Sequence, residues 1–156
     1  MNEKRLQSIL DALQTSGLWF GGPSPAGSLR GVGAEQAARK PDGASHCIWE
    51  LALHIAYWEY AVRRILEDGP KGEFPRKPAN WPRLPDDATE SAWKKDRALV
   101  RAERERLISA AGAFDPARLD DRAGSSKHTY VDLLYGAVQH STYHTGQIAL
   151  LKRLDH

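Results

Sequence analysis

Apolar residues recur at intervals of three and four in four stretches of the chain, and no stretch alternates apolar and polar residues as a strand would. The first, about residues 2–16, puts Leu6, Ile9, Leu10 and Leu13 on one stripe, with Gly17 as its stop. The second is expected to start after Ser45 as N-cap and to run to about Asp68, before Gly69-Pro70. Its apolar positions are Ile48, Leu51, Ile55, Trp58, Val62 and Ile65. The third opens on Asp87-x-x-Glu90, which has the form of a capping box, and carries Trp93, Val100 and Leu107. It ends near Gly112, and Asp115-Pro116 prevents continuation. The fourth opens on a second such box, Thr129-x-x-Asp132, and extends nearly to the C-terminus. Its inward stripe reads Leu133, Ala137, His140, His144, Ile148 and Leu151.

The connections are long. Residues 18–44 are rich in glycine and proline and are not expected to hold a regular element for long, and residues 69–86, with Pro70, Pro75, Pro78, Pro82 and Pro85, read as an irregular linker. Phe74 and Trp81 within the second either pin it to the helices or form one wall of a pocket. No internal repeat is visible. The expected fold is all-α: a four-helix bundle with two long irregular connections, spanning 1–156 as a single domain.

Bulk properties narrow the field of partners. At 156 residues, 41% hydrophobic and 27% charged, the chain has the composition of one ordinary globular domain. A net charge of +2, with bases interleaved with acids as in Arg101-Ala-Glu103-Arg104-Glu105-Arg106, offers no phosphate-binding stripe, so no nucleic-acid partner is expected. The single cysteine, Cys47, excludes an internal disulfide framework. The N-terminus lacks the apolar stretch of a secretory signal and no run reaches the roughly 20 apolar residues of a membrane span. A cytoplasmic location without membrane association is the expectation.

The inward stripe of the fourth helix carries His140 and His144 where leucines would serve. Residues four apart lie one turn apart on nearly the same face, so both imidazoles point inward with Leu133, Ala137, Ile148 and Leu151. The second helix repeats the anomaly: Leu51, His54, Trp58, Ala61 and Ile65 read as its inward stripe. A buried imidazole costs free energy unless its nitrogens find partners. One divalent cation would satisfy three at once; hydrogen-bonded core histidines would satisfy the same pattern.

Two segments carry a family resemblance. Tyr135-Gly-Ala-Val-Gln139-His140-Ser-Thr-Tyr143-His144-Thr-Gly146-Gln147-Ile148 is similar to the C-terminal signature of the DinB-like (YfiT-like) family of metal-dependent enzymes, distinct from the DNA polymerase that shares the name. Ser45-His46-Cys47-Ile48-Trp49-Glu50-Leu-Ala-Leu-His54 resembles that family's second-helix pattern, in which the histidine is the first metal ligand. The resemblance implies a four-helix domain whose metal ligands are His54, His140 and His144. It implies a small-molecule substrate, with thiol-dependent S-transferases using low-molecular-weight thiols, a thiol-dependent isomerase and hydrolases among the relatives. It also implies a homodimer as one expected state; a non-catalytic, stress-related metal- or ligand-binding protein is the alternative. The linkers show no pattern that aligns with the family.

Three neutral histidines leave at least one coordination position open, the arrangement of catalytic zinc sites. Such an ion lowers the pKa of bound water or favours the thiolate. Zinc or nickel comes first among the expected ions, and iron, copper and manganese are also compatible. Glu50, one turn before His54, is a candidate to orient that ring's free nitrogen or to shuttle a proton. Gln147, Tyr57 and Tyr143 are candidates to contact a ligand, although each also reads as a packing or inter-helix residue. His46 and His128 read as surface or capping residues, with the pocket edge as the alternative, His156 is terminal, and Cys47 reads as a packed residue rather than a nucleophile.

Overall fold

The computed structural model describes residues 1–14, 21–69 and 72–154, and among them it is all-helical. In chain order the helices are α1 (Asn2–Gln14), α2 (Pro25–Ser28), α3 (Ala34–Ala38), α4 (Ile48–Leu66), α5 (Glu90–Gly112) and α6 (Tyr130–Leu154), with a 3-10 turn at Pro116–Arg118. α4 packs on both α5 and α6, and α1 lies against the same two. The four long helices are the four read from periodicity. The described part of the connection from 18 to 44 holds only the two short helices, of four and five residues, and the described part of 69–86 holds none. Gly17, Pro70 and His156 lie outside the described residues.

Capping chemistry explains where the helices begin. α4 is capped by Cys47, two residues beyond the expected Ser45, because Glu50 returns its carboxylate to the Cys47 N–H at 3.0 Å. Three residues after Ser45 stands Ile48, which has no such group to offer. α5 is capped by Thr89, whose hydroxyl accepts from the Ala92 N–H at 3.2 Å. Glu90 therefore does not close a box with Asp87; its carboxylate accepts from the Ala34 N–H at 2.6 Å and so ties the first turn of α3 to α5. The Thr129/Asp132 box forms as expected, with reciprocal bonds of 2.9 and 3.3 Å. α4 ends at Leu66, and Asp68, at φ +48°, turns the chain in the left-handed region common after helices.

Two apolar clusters fill the interior. One gathers Trp49, Leu51, Leu53, Ile55, Trp93, Ile148 and Leu151; the other joins Leu6, Ile9, Leu13, Leu107, Leu119 and Leu134. The expected inward stripe of α4 needs correction: Trp58 is 41% exposed and Ile65 36%. At about 100° per residue, the line through His54, Trp58 and Ile65 runs along the edge of a buried arc that centres on Ile55, Val62 and Leu66. His54 is covered, at 5% exposure, because the 72–86 segment folds over it. On α6 the arc includes Tyr130, Val131, Leu134, Ser141 and Thr145 as well as Ala137, His144, Ile148 and Leu151, leaving Leu133 and His140 half-buried.

Three acids sit inside the core stripes. Glu59, Asp96 and Glu103 are 1%, 3% and 1% exposed, and each is met by arginine: Arg104, Arg76, and Arg63 with Arg106, respectively. Among the described residues no helix is long and apolar enough to cross a membrane.

Candidate metal centre

His54 comes from the middle of α4, and His140 and His144 from successive turns of α6. One ring nitrogen from each lies within 4.8 Å of the other two. The Nε2 atoms of His54 and His140 are 3.1 Å apart. For bonds of about 2.0–2.1 Å in a tetrahedral set, neighbouring ligand nitrogens stand roughly 3.3 Å apart, so this pair already has the spacing of two ligands of one ion.

The opposite nitrogens show how the rings are aimed. His54 donates its Nδ1–H to the Asn80 carbonyl at 2.7 Å, and His144 donates its Nδ1–H to Gln147 Oε1 at 2.6 Å. Each bond fixes the tautomer that leaves Nε2 as a lone-pair donor, the arrangement that protein metal centres use to orient ligating imidazoles. The His140 Nδ1 is buried without a protein partner. Neutral nitrogen donors, no cysteine and no carboxylate in the set suit a borderline divalent ion. These residues fit a bound metal.

Burial lowers all three imidazoles below their ordinary range. His140 is pushed down to about 4 by burial and then by the neighbouring His144 and His54, while His54 and His144 are lowered by burial first. In an unfolded chain these rings titrate near 6.5, so on acidification the unfolded state takes up their protons first. Stability of the metal-free protein should therefore fall as pH drops below about 6.5 and continue falling to about 4. Thermal unfolding in chelator across that window checks it: the decline should be shallower in a His140→Ala protein, and an identical decline would contradict the assignment.

Aromatic rings wall the site. The Trp81 indole stacks on His54 with ring centroids 3.6 Å apart and on His46 at 3.7 Å, both within 5° of parallel. Two imidazoles cannot share one indole face at those distances, so Trp81 is sandwiched between them. Trp58 meets His140 at 5.9 Å, and Tyr143, 65% exposed, meets His144 at 5.0 Å. Trp81 thus fills both roles read from sequence, pinning its segment and walling the site.

The remaining candidates are placed unevenly. Gln147 holds His144 directly, and its amide also reaches the Tyr143 hydroxyl at 3.4 Å. Tyr57 packs against Phe74 at 5.7 Å rather than against a triad ring. Glu50 does not orient His54, because the nitrogen it was expected to hold is taken by Asn80; its carboxylate caps α4 and lies 3.4 Å from His46 Nδ1. Asn80 belongs to the surroundings of the site and was missed; His46, read as a surface or capping residue or as an edge of the pocket, stands at that edge against Trp81. His46 had a faint signal, eight residues before His54 beside a capping glutamate, whereas a backbone carbonyl in an irregular linker leaves none. Cys47 is buried and its thiol is pushed up to about 11 by that burial, which suits a packed residue and not a nucleophile.

The fold and the site together define an all-helical protein with a buried three-histidine centre able to hold a metal ion. The chain belongs to the DinB superfamily, whose family model matches residues 26–148 and so spans all three histidines. No curated protein matches it.

Proposed function

We propose that this protein is a metal-dependent transferase or hydrolase, in which His54, His140 and His144 hold one divalent ion and a low-molecular-weight thiol or water attacks a small electrophilic substrate. The observation that carries this reading is the convergence of three ring nitrogens while the far nitrogens of His54 and His144 are already tied to acceptors. A structural zinc site closes its fourth position with another protein ligand, and among the described residues the cluster offers three. A divalent ion bound there would supply Lewis acidity, favouring thiolate over thiol or hydroxide over water.

The chain's own groups supply the rest. Asn80 and Gln147 keep the two rings in the ligating tautomer, and Trp81 and Trp58 exclude water from one side. The proton that a thiol or water gives up passes to solvent; His46, its Nδ1 3.4 Å from the Glu50 carboxylate, stands across Trp81 from His54. In this reading Tyr143 and Gln147 contact the substrate. In the transfer, sulfur or oxygen forms a bond to the electrophilic carbon as the leaving group departs with its electron pair.

Elemental analysis of protein purified without an affinity tag should find zinc, nickel, iron, copper or manganese. Protein loaded with zinc or nickel, assayed with several small thiols against a chromogenic aryl halide and with water against a nitrophenyl ester, should turn over. Turnover should vanish with chelator and in His140→Ala. An ion bound at the triad with no turnover in any of these assays would instead favour a metal- or ligand-binding role without catalysis.

A further inference from the structure

The segment that covers His54 is irregular throughout its described length, yet it is held at several points. Phe74 is buried and packs on the rings of Tyr57 and Tyr60 at 5.7 and 5.6 Å. Arg83 N–H donates to the Lys77 carbonyl at 3.1 Å, closing residues 77–83 into a hoop. Near its tip stand Asn80, whose carbonyl fixes His54, and Trp81, which stacks on it. At its base lies Arg76. One terminal guanidinium nitrogen of Arg76 donates to both Asp96 oxygens, at 2.9 and 2.7 Å, and the other terminal nitrogen donates to the Arg83 carbonyl at 2.7 Å. Asp96 is 3% exposed on α5 and also accepts from the Trp49 indole N–H at 2.8 Å.

We propose that Arg76 and Asp96 are positioning residues of the metal centre: they anchor to α5 the hoop whose tip sets the tautomer and aim of His54. The inference rests on the metal-dependent reading above. Neither residue touches a triad histidine, and their effect passes through the backbone of the hoop. The guanidinium is suited to this because one planar group reaches the buried carboxylate and the Arg83 carbonyl at once, which a lysine ammonium cannot match in direction. Asp96 is suited because a buried carboxylate without its cation is costly, so the hoop is not easily lifted. If the pair served stability alone, its loss would lower the melting temperature and leave His54 unchanged.

The test compares wild type with Arg76→Met, Asp96→Asn and Arg76→Lys, using Arg118→Met as a control. Arg118 bonds Asp68 and Tyr130 beside the 3-10 turn and makes no contact with the hoop. Zinc dissociation constants come from competition with a chromophoric chelator, and the ring tautomer of His54 from long-range proton–nitrogen spectra of the metal-free proteins. Arg76→Met and Asp96→Asn should weaken zinc binding roughly 10- to 100-fold, as loss of outer positioning groups does elsewhere. Both should also turn the single Nδ1–H form of His54 into a mixture, Arg76→Lys should recover part of each change, and Arg118→Met should change neither. Should Asp96→Asn not fold, Arg76→Met decides alone, since its side chain is 23% exposed. An unaltered affinity and tautomer in Arg76→Met, with His54→Ala still abolishing zinc binding, overturns the positioning role and leaves the metal site standing. If wild type and His54→Ala bind zinc alike, the metal reading falls, and this proposal with it.

Discussion

Replacing His140 with alanine is expected to weaken divalent-ion binding at least about 100-fold. Structural zinc sites bind with about 10–16 kcal/mol over four ligands, or roughly 3 kcal/mol for each, and every 1.4 kcal/mol is tenfold. With three ligands, loss of one leaves only two protein donors. The metal-free protein should tolerate the change. The ring is half-buried, its Nδ1 has no protein partner, and it resists protonation, so its removal costs packing area and one hydrogen bond, that between its Nε2 and the His54 Nε2. Competition with a chelating dye, alongside a melting curve of the metal-free variant, separates the two effects. Affinity within tenfold of wild type would place the ion elsewhere.

Arg104→Ala should give the largest stability loss. Glu59 is 1% exposed, and one carboxylate oxygen accepts from Arg104 at 2.6 Å and from the Ser141 hydroxyl at 2.9 Å, while the other has no protein partner. Arg104 also donates to the Leu13 carbonyl at 3.0 Å, so a single guanidinium joins α5 to α4 and α1. Removing one partner of such a pair typically costs about 3–5 kcal/mol because the other charge stays buried. For a chain of this size that is about 10 °C in melting temperature. Burial already raises the Glu59 carboxyl above its ordinary value, and Arg104 is the foremost influence opposing this. Without Arg104 the folded-state pKa rises further, so the penalty should be smallest in acid and should grow as pH rises. Differential scanning calorimetry of both proteins at acidic and neutral pH reads the trend. A penalty that is the same at every pH would show that lost packing, not the stranded carboxylate, dominates.

The legible part of this protein is the part governed by short-range periodicity. Trp93, Val100 and Leu107 were read as the buried line of the third helix and are buried; His54, His140 and His144 were read as converging and converge. The errors have local causes. Trp58 and Ile65 follow His54 at helical spacing, but a helix touching two neighbours buries a broad arc, and which edge is covered depends on a linker that periodicity does not describe. Glu59 falls in register with Ile55, Val62 and Leu66, just as Asp96 and Glu103 fall in register with Trp93, Val100 and Leu107. That register was an available sign of buried ion pairs, obscured because acids at such positions usually face solvent. Asn80 acts through its backbone carbonyl, which every residue possesses, so residue identity held no clue to it.

The three histidines of the cluster differ in what holds them apart. His140 and His144 ride one helix, and backbone hydrogen bonding fixes their separation at about 6 Å of rise whatever their neighbours are. His54 arrives on α4, at a distance set by Leu51, Ile55, Ile148 and Leu151 in the apolar cluster shared with α6, and by the hoop that leans on it. The centre thus works as a rigid two-toothed jaw closing on an adjustable anvil. Preference among ions of different radius can then drift through substitutions in side chains that carry no donor atom at all, while the histidines themselves stay the same.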